Sequence, residues 1–486
     1  MKLTTTAPAR PVTLCRVTIV DTKTGALTRE SDMALAGGRI AAVTGASGAD
    51  PNDGQRVELP GKFVVPGYVE SHAHVLDVED PSGAFDLMLV NGITGYRQMA
   101  GNNKLLRARR EGTLPMLPSA PTLLATPGAV LTPLNAGSPA AATATVREQH
   151  AAGADFIKVG LVGPEAFFAA QAASRDLAIP ILGHLPPGVD VRRASSGAMR
   201  SIEHLGPGLA VLIACSTVEE ELRAAVAERP TRSLPFRVPF ADRLVGPLLR
   251  RIITNPVLMT RPEDRRLLRR AVETFDEDRA RALAEQFVAD GTWHCPTLVR
   301  ERTTQLSDDP GYRSDPHLRY VAPAMRKSWD AASAKFDTLP AEDKAVHREC
   351  YQVQLALLRI LADGGVKILA GSDAGGAVWE VPGYAFHQEL DELGAAGLSP
   401  LRVLQTATLD AAEFFGATGS MGTVEVGKNA DLVVLDADPV ASVAALHQIA
   451  GVVRQGRWYP AGELRSIAER VPAQSHSAPS RPTGCC

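Results

Sequence analysis

The stretch Pro66-Gly67-Tyr68-Val69-Glu70-Ser71-His72-Ala73-His74 decides how this sequence is read. It closes an apolar run, beginning at Phe63, that has the character of a β-strand. His72 and His74 stand two positions apart, and on a strand such residues point to one face. Two imidazoles on one face form a chelate for a borderline divalent metal. The bare His-x-His pair also arises by chance in a loop, so its meaning depends on the rest of the chain.

Working outward, the middle of the chain, residues 62–415, alternates apolar strands with helical stretches such as Ala140–Ala151 and Pro164–Leu177. The strands are expected at Phe63–Ser71, Gly92–Met99, Met116–Leu124, Ala154–Gly160, Ile179–His184, Met199–Leu205, Thr292–Val299 and Val366–Asp373. Each is nearly all apolar, as suits strands covered on both faces. Eight such units describe an α/β fold of the (β/α)8 TIM-barrel type. Residues 1–61 and 416–471 are rich in short strands and turns, and pair in expectation into one small β-sandwich. Long helical insertions at 208–290 and 300–350 are expected to cap the barrel mouth, where loops after the strands carry function. The Ser/Pro/Ala-rich tail 472–486 reads as disordered.

Composition narrows the function classes. The chain has 486 residues, 45% of them hydrophobic, enough for a large domain with a smaller one. A net charge of −3 gives no reason to expect nucleic acid or an anionic membrane as partner. The six cysteines form neither a disulfide pattern nor a zinc-finger spacing. No apolar leader or membrane-length apolar run is evident, so a cytoplasmic enzyme with a small-molecule substrate is the expectation.

Further chemistry falls at the ends of later strands. Lys158 lies in Asp155-Phe156-Ile157-Lys158-Val159, where burying an ammonium is costly unless its charge is paired or removed. His184 ends Ile181-Leu182-Gly183-His184, His204 ends Ser201-Ile202-Glu203-His204, and Asp373 ends Ala370-Gly371-Ser372-Asp373. Any one of these has a structural explanation; Asp373, for example, suits a helix cap. Together, His72, His74, Lys158, His184, His204 and Asp373 occupy the mouth ends of strands one, four, five, six and eight of the expected barrel. That order and placement point to a metal site.

With these residues in view, the sequence resembles the amidohydrolase superfamily along nearly its whole length. The resemblance implies that His72, His74 and Asp373 hold one divalent metal and that His184 and His204 hold a second. It implies that Lys158, carbamylated by CO2, bridges the two. Zinc is the expected metal, with manganese and cobalt also suited to the donors. A hydroxide between two cations would attack a carbonyl carbon while Asp373 manages the proton. The implied reaction is C–N bond hydrolysis in an amide, urea or carbamate. Gly153-Ala154-Asp155-Phe156-Ile157-Lys158, Gly183-His184-Leu185-Pro186 and Val381–Leu390 resemble one branch. That branch holds prolidase-like and Xaa-Lys/Arg dipeptidases, imidazolonepropionase relatives, and hydrolases of ochratoxin, molinate and phenylureas. Homo-oligomers are frequent among such barrels.

The chain departs from that branch in two places. Thr126-Pro127-Gly128-Ala129-Val130 lacks the histidine often found after the third strand, and Arg97-Gln98-Met99 replaces an acidic residue after the second. Both changes predict a less polar pocket and weaken a dipeptidase reading. Arg97 is a candidate to bind a substrate carboxylate, against a structural ion pair; His294 is a candidate substrate contact, against a core histidine. A mononuclear enzyme with Lys158 as a free amine, and a non-catalytic scaffold, are the remaining readings; the scaffold sits poorly with six ligand-type residues present.

Overall fold

The computed structural model describes residues 11–46, 54–77, 81–206, 209–228 and 261–471. Its strands are β1 (Val12–Val20), β2 (Leu27–Ala36), β3 (Arg39–Gly45), β4 (Gln55–Glu58), β5 (Phe63–Pro66), β6 (Tyr68–Ala73), β7 (Ile93–Gln98), β8 (Thr122–Ala125), β9 (Ile157–Val159), β10 (Ile181–Gly183), β11 (Met199–Glu203), β12 (Trp293–Cys295), β13 (Leu432–Leu435), β14 (Ile449–Arg454) and β15 (Arg457–Pro460). The strands of the two ends lie in one sheet together with β5, the start of the expected first barrel strand. They form one eight-stranded sheet in the order β15-β14-β13-β5-β1-β2-β3, with β4 beside β1. The seam is antiparallel pairing of β13 with β5, Leu432 opposite Pro66 and Leu435 opposite Phe63. Apolar side chains of both pieces, including Leu14, Val17, Val64, Leu432 and Val434, form a core of their own.

Gly67 carries the chain from that sheet into β6. A Cβ there would run into the side chain of Thr94, so only glycine lets β5 and β6 follow so closely. β6-β7-β8 form one parallel arc and β9-β10-β11-β12 another. Isolated parallel bridges link the arcs on both sides: Pro127–Phe156 and Leu131–Val159 on one, His294–Ile368 and Ala73–Ala374 on the other. Helices such as Pro139–Ala151, Pro164–Asp176 and Glu277–Asp290 bury an apolar stripe against these strands, and their residues share the main core with Tyr68, Phe85, Tyr96 and Phe167.

Three expectations are corrected in detail. The third strand is not Met116–Leu124 but Thr122–Ala125, because Pro118 and Pro121 lack the N–H a ladder needs. Val366–Asp373 is not a continuous strand. Gly371 is wedged where a Cβ would lie 2.5 Å from Cys295 Sγ and 2.8 Å from His72 Cβ, and Asp373 turns to φ 62°. The segment is instead stitched on by single bonds: Ser71 N–H to Ala370 O, Asp373 N–H to His72 O and His74 N–H to Ala374 O, at 2.9, 2.8 and 2.9 Å. Finally, Glu277–Asp290 is not part of a cap. Its Ala280, Leu283, Ala284 and Phe287 recur at helical spacing and sink into the main core.

The second insertion does lie against the segment after Asp373. Tyr312, Tyr320 and Trp329 cluster with Val378, Trp379 and Val381. Trp379 is held at both ends, its ring against Trp329 at 5.5 Å and its Nε1–H donating to Ser333 at 3.1 Å. Residues 229–260 of the first insertion and the tail from 472 lie outside the described residues. Among the described residues, no helix is long and apolar enough to cross a membrane.

Candidate metal centre

The structure gathers five of the six expected ligands, four histidines and the Asp373 carboxylate. Asp373 Oδ1 lies 3.1 Å from His72 Nε2 and 3.0 Å from His74 Nε2; its Oδ2 lies 4.0 Å from His204 Nε2. The His184 and His204 rings are 5.0 Å apart, and His204 is 4.7 Å from His72. Lys158 sits on β9 opposite Leu182 of β10, fully buried, and its charge is felt by both His72 and His184. The sixth residue is thus within electrostatic reach of one member of each expected ligand group.

Local structure explains the convergence. Strand alternation puts His72 and His74 on one face, as expected. His204 follows β11, and Asp373 ends the stitched segment, with φ of 56° and 62°. Such left-handed backbone is strained for a non-glycine residue, on the order of 1–3 kcal/mol, and persists only where surrounding contacts impose it. Three of the four histidines are also gripped from behind. His72 Nδ1 meets Glu203 Oε2 at 2.6 Å, His74 Nδ1 meets Asp77 Oδ2 at 3.2 Å, and His204 Nδ1 meets Thr297 Oγ1 at 2.6 Å. With Nδ1 occupied, Nε2 is the nitrogen turned to the centre, an arrangement common among metal-binding histidines.

Electrostatics fit a cation site. Burial, then the Lys158 charge, holds His72 and His184 below the ordinary imidazole range. Burial and the Arg300 cation do the same to His204. Neutral imidazoles are what a metal binds. Burial works to raise Asp373, but His72 and His204 overcome it and hold its carboxyl well below the usual range. His72, His204 and Asp373 offer ligand atoms all within 4.8 Å of one another, so the donor set suits a divalent ion. His72, Glu203 and Cys295 are grouped as tightly. Arg97 Nη2, however, already lies 3.0 Å from each Glu203 oxygen, and a second cation there would meet it head on.

Two expected substrate contacts are corrected. Arg97 is fully buried, bonded to Glu203 and to Ser71 O, and takes the structural ion pair in place of a substrate carboxylate. His294 faces the helix layer because strand alternation sends its neighbour Cys295 inward toward His72 and Glu203. Its ring packs on Phe287 at 4.7 Å, and burial pushes it down to about 3. His387 also packs, with Nε2 at 3.0 Å from Asn91 O.

The expected apolar pocket is corrected as well. Arg300 places Nε 2.7 Å from Asp373 Oδ2 and Nη1 3.0 Å from Glu301 Oε1. Glu380 is buried within electrostatic reach of Asp373, Arg300 and His74; burial first, then the Asp373 charge, pushes its carboxyl well up. Glu70, Glu203, Arg300 and Glu380 carried no role in the sequence reading. The sign that drew attention to Lys158, a charge inside an apolar strand, was equally present at Glu70 and Glu203.

The model of the amidohydrolase family matches residues 343–459, the part that carries Asp373 and the closing strands. That part of the chain is similar to the amidohydrolase family, and the likeness of the whole chain to solved structures is one of fold. No curated protein matches this chain in sequence. Solved structures of the same fold include a bottromycin amidohydrolase, 23% identical, covering 96% of this chain and 93% of its own, with a TM-score of 0.64. The ochratoxinase of A. niger is 15% identical over 96% of this chain and 99% of its own, TM-score 0.58. A Xaa-Pro dipeptidase solved with bound methionine is 15% identical over 93% of this chain and 100% of its own, TM-score 0.58.

Proposed function

We propose that this chain is a member of the amidohydrolase superfamily, a metal-dependent hydrolase of a small amide, urea or carbamate built on a (β/α)8 barrel. The observation that carries the reading is the convergence of three histidine Nε2 atoms on the Asp373 carboxylate. The site is read as binuclear: His72, His74 and Asp373 on one side, His184 and His204 on the other, and Lys158 between them as a carbamate formed with CO2. Zinc, manganese or cobalt would suit these donors.

Divalent ions bound there would supply a Lewis acid for the carbonyl oxygen and acidify the attacking water. The protein's own part is proton handling and exclusion of solvent. Asp373 accepts the proton of the attacking water on its carboxylate and returns it to the leaving nitrogen. Its carboxyl is held ionised in the bare site. The burial of every one of these side chains keeps bulk water from the reacting carbonyl.

A second reading, a dipeptidase of prolidase type, is favoured by Arg300. It is a buried cation beside Asp373 that could take a substrate carboxylate, the anchor that such a substrate requires.

The test is metal content per chain of protein purified with bicarbonate, read with turnover of an aryl urea, an aryl carbamate, an N-acyl aromatic amino acid and an Xaa-Pro dipeptide. About two metals per chain and chelator-sensitive turnover of any of the four support the binuclear hydrolase. One metal removes Lys158 as a bridge. Absence of metal and turnover after reconstitution overturns the reading.

A further inference from the structure

Behind His72, away from Asp373, runs a chain of charged groups with no solvent access. Arg97, Glu203 and His72 are each fully buried. Arg97 Nη2 donates to Glu203 Oε1 and Oε2, both at 3.0 Å, and Glu203 Oε2 faces His72 Nδ1 at 2.6 Å. The Ser201 hydroxyl donates to the same carboxylate. Arg97 Nε reaches across to Ser71 O, the residue beside His72, at 2.5 Å. The guanidinium also lies 5.1 Å from the Phe414 ring and 5.9 Å from Phe156. One side chain on β7 therefore ties β6, at Ser71, to β11, at Glu203, each tie one residue from an expected ligand.

We propose that Arg97 is a positioning residue for the metal centre, acting through Glu203 to fix the tautomer and direction of the His72 ring. A carboxylate paired with a guanidinium is acceptor-only, so the hydrogen between Glu203 and His72 belongs to Nδ1. The Nε2 lone pair is then free, aimed at the side where Asp373 and His204 lie. The negative charge behind the ring also raises the basicity of that nitrogen, as in carboxylate–histidine–metal triads. Burying Glu203 without Arg97 would leave an unpaired charge in the core, so the arginine is what makes a carboxylate tolerable at this place. Lysine cannot reproduce this: it has no planar fork to hold two oxygens of Glu203 and a carbonyl of β6 together.

The inference rests on the metal-centre reading above, and its test separates the two. Dissociation constants for Zn2+ and Co2+ are measured by competition with a chromophoric chelator, and the visible absorption of the Co2+ form is recorded, on the full chain and three variants. In Arg97→Met, metal affinity is expected to fall about 10–100-fold, with an altered Co2+ band. Arg97→Lys should fall between Arg97→Met and the unmodified chain. The double variant Arg97→Met with Glu203→Met removes both charges and restores an apolar core, which guards against loss of folding. Its affinity should stay low, because His72 Nδ1 has lost its acceptor. Unchanged affinity and spectrum in Arg97→Met, or recovery of affinity in the double variant, would overturn the positioning role while leaving the metal centre standing. Failure of the unmodified chain to bind either ion would overturn both.

Discussion

Glu70 and Ser372 bind each other across the two ends of the ligand circuit. Glu70 Oε1 accepts the Ser372 backbone N–H at 2.9 Å and Oε2 accepts its hydroxyl at 2.6 Å. The same Oε1 accepts the His72 N–H at 3.0 Å. One buried carboxylate thus sets the first ligand strand against the segment that delivers Asp373.

Glu70→Ala would strand three buried donors. Each unsatisfied donor costs about 1–3 kcal/mol, so a loss of about 3 kcal/mol or more in unfolding free energy is expected. Urea denaturation with and without added Zn2+ measures it. A loss below about 1 kcal/mol would show that the clamp is not needed.

Asp373→Asn keeps the shape but removes the charge and the proton acceptor. Turnover of whichever substrate the enzyme accepts should fall at least 100-fold. Metal content should fall less than turnover, because His72, His74 and the second ligand group remain. Equal loss of both would assign Asp373 to metal retention alone.

Arg300→Met separates the two functional readings. If Arg300 anchors a substrate carboxylate, KM for an Xaa-Pro dipeptide rises on the order of tenfold or more while an uncharged aryl urea is unaffected. A uniform effect on both substrates would place Arg300 in support of Asp373 instead.

Acid should unfold the protein through its buried histidines. His294 and His387 are pushed down to about 3 and His347 to about 4, in each case chiefly by burial. In the unfolded chain these imidazoles take up protons near pH 6.5, so the unfolded state binds more protons between that pH and the folded values. Their contribution to stability is complete above about pH 6.5 and is lost as pH falls toward 4 and 3. His294→Phe, which keeps the packing on Phe287, should lessen the slope of unfolding free energy between pH 7 and 5. An unchanged slope would argue against a neutral core role.

Local sequence determined much of this protein. Alternation along Tyr68–His74 put His72 and His74 on one face, and the apolar runs around Lys158, His184 and His204 located three more strand ends. These are periodic, short-range signals, and a strand obeys them wherever it lies. The pairing of the chain's two ends was also legible, since half-buried strands need partners.

Only the tertiary structure decided which charges face one another. Arg97 and Glu203 are far apart in sequence, as are Arg300 and Asp373, and nothing in local pattern tells an arginine that anchors substrate from one that neutralises a carboxylate. The backbone turns at His204 and Asp373 were equally hidden, because strain is imposed by neighbours and not chosen by the residue. His294 stayed open between two readings for a related reason. Being on a strand that ends at the site does not say which face a residue takes; that followed from the register that turned Cys295 inward. Residue type and spacing specified the donors, while burial and register, which depend on the whole fold, determined which of them meet and what each is held against.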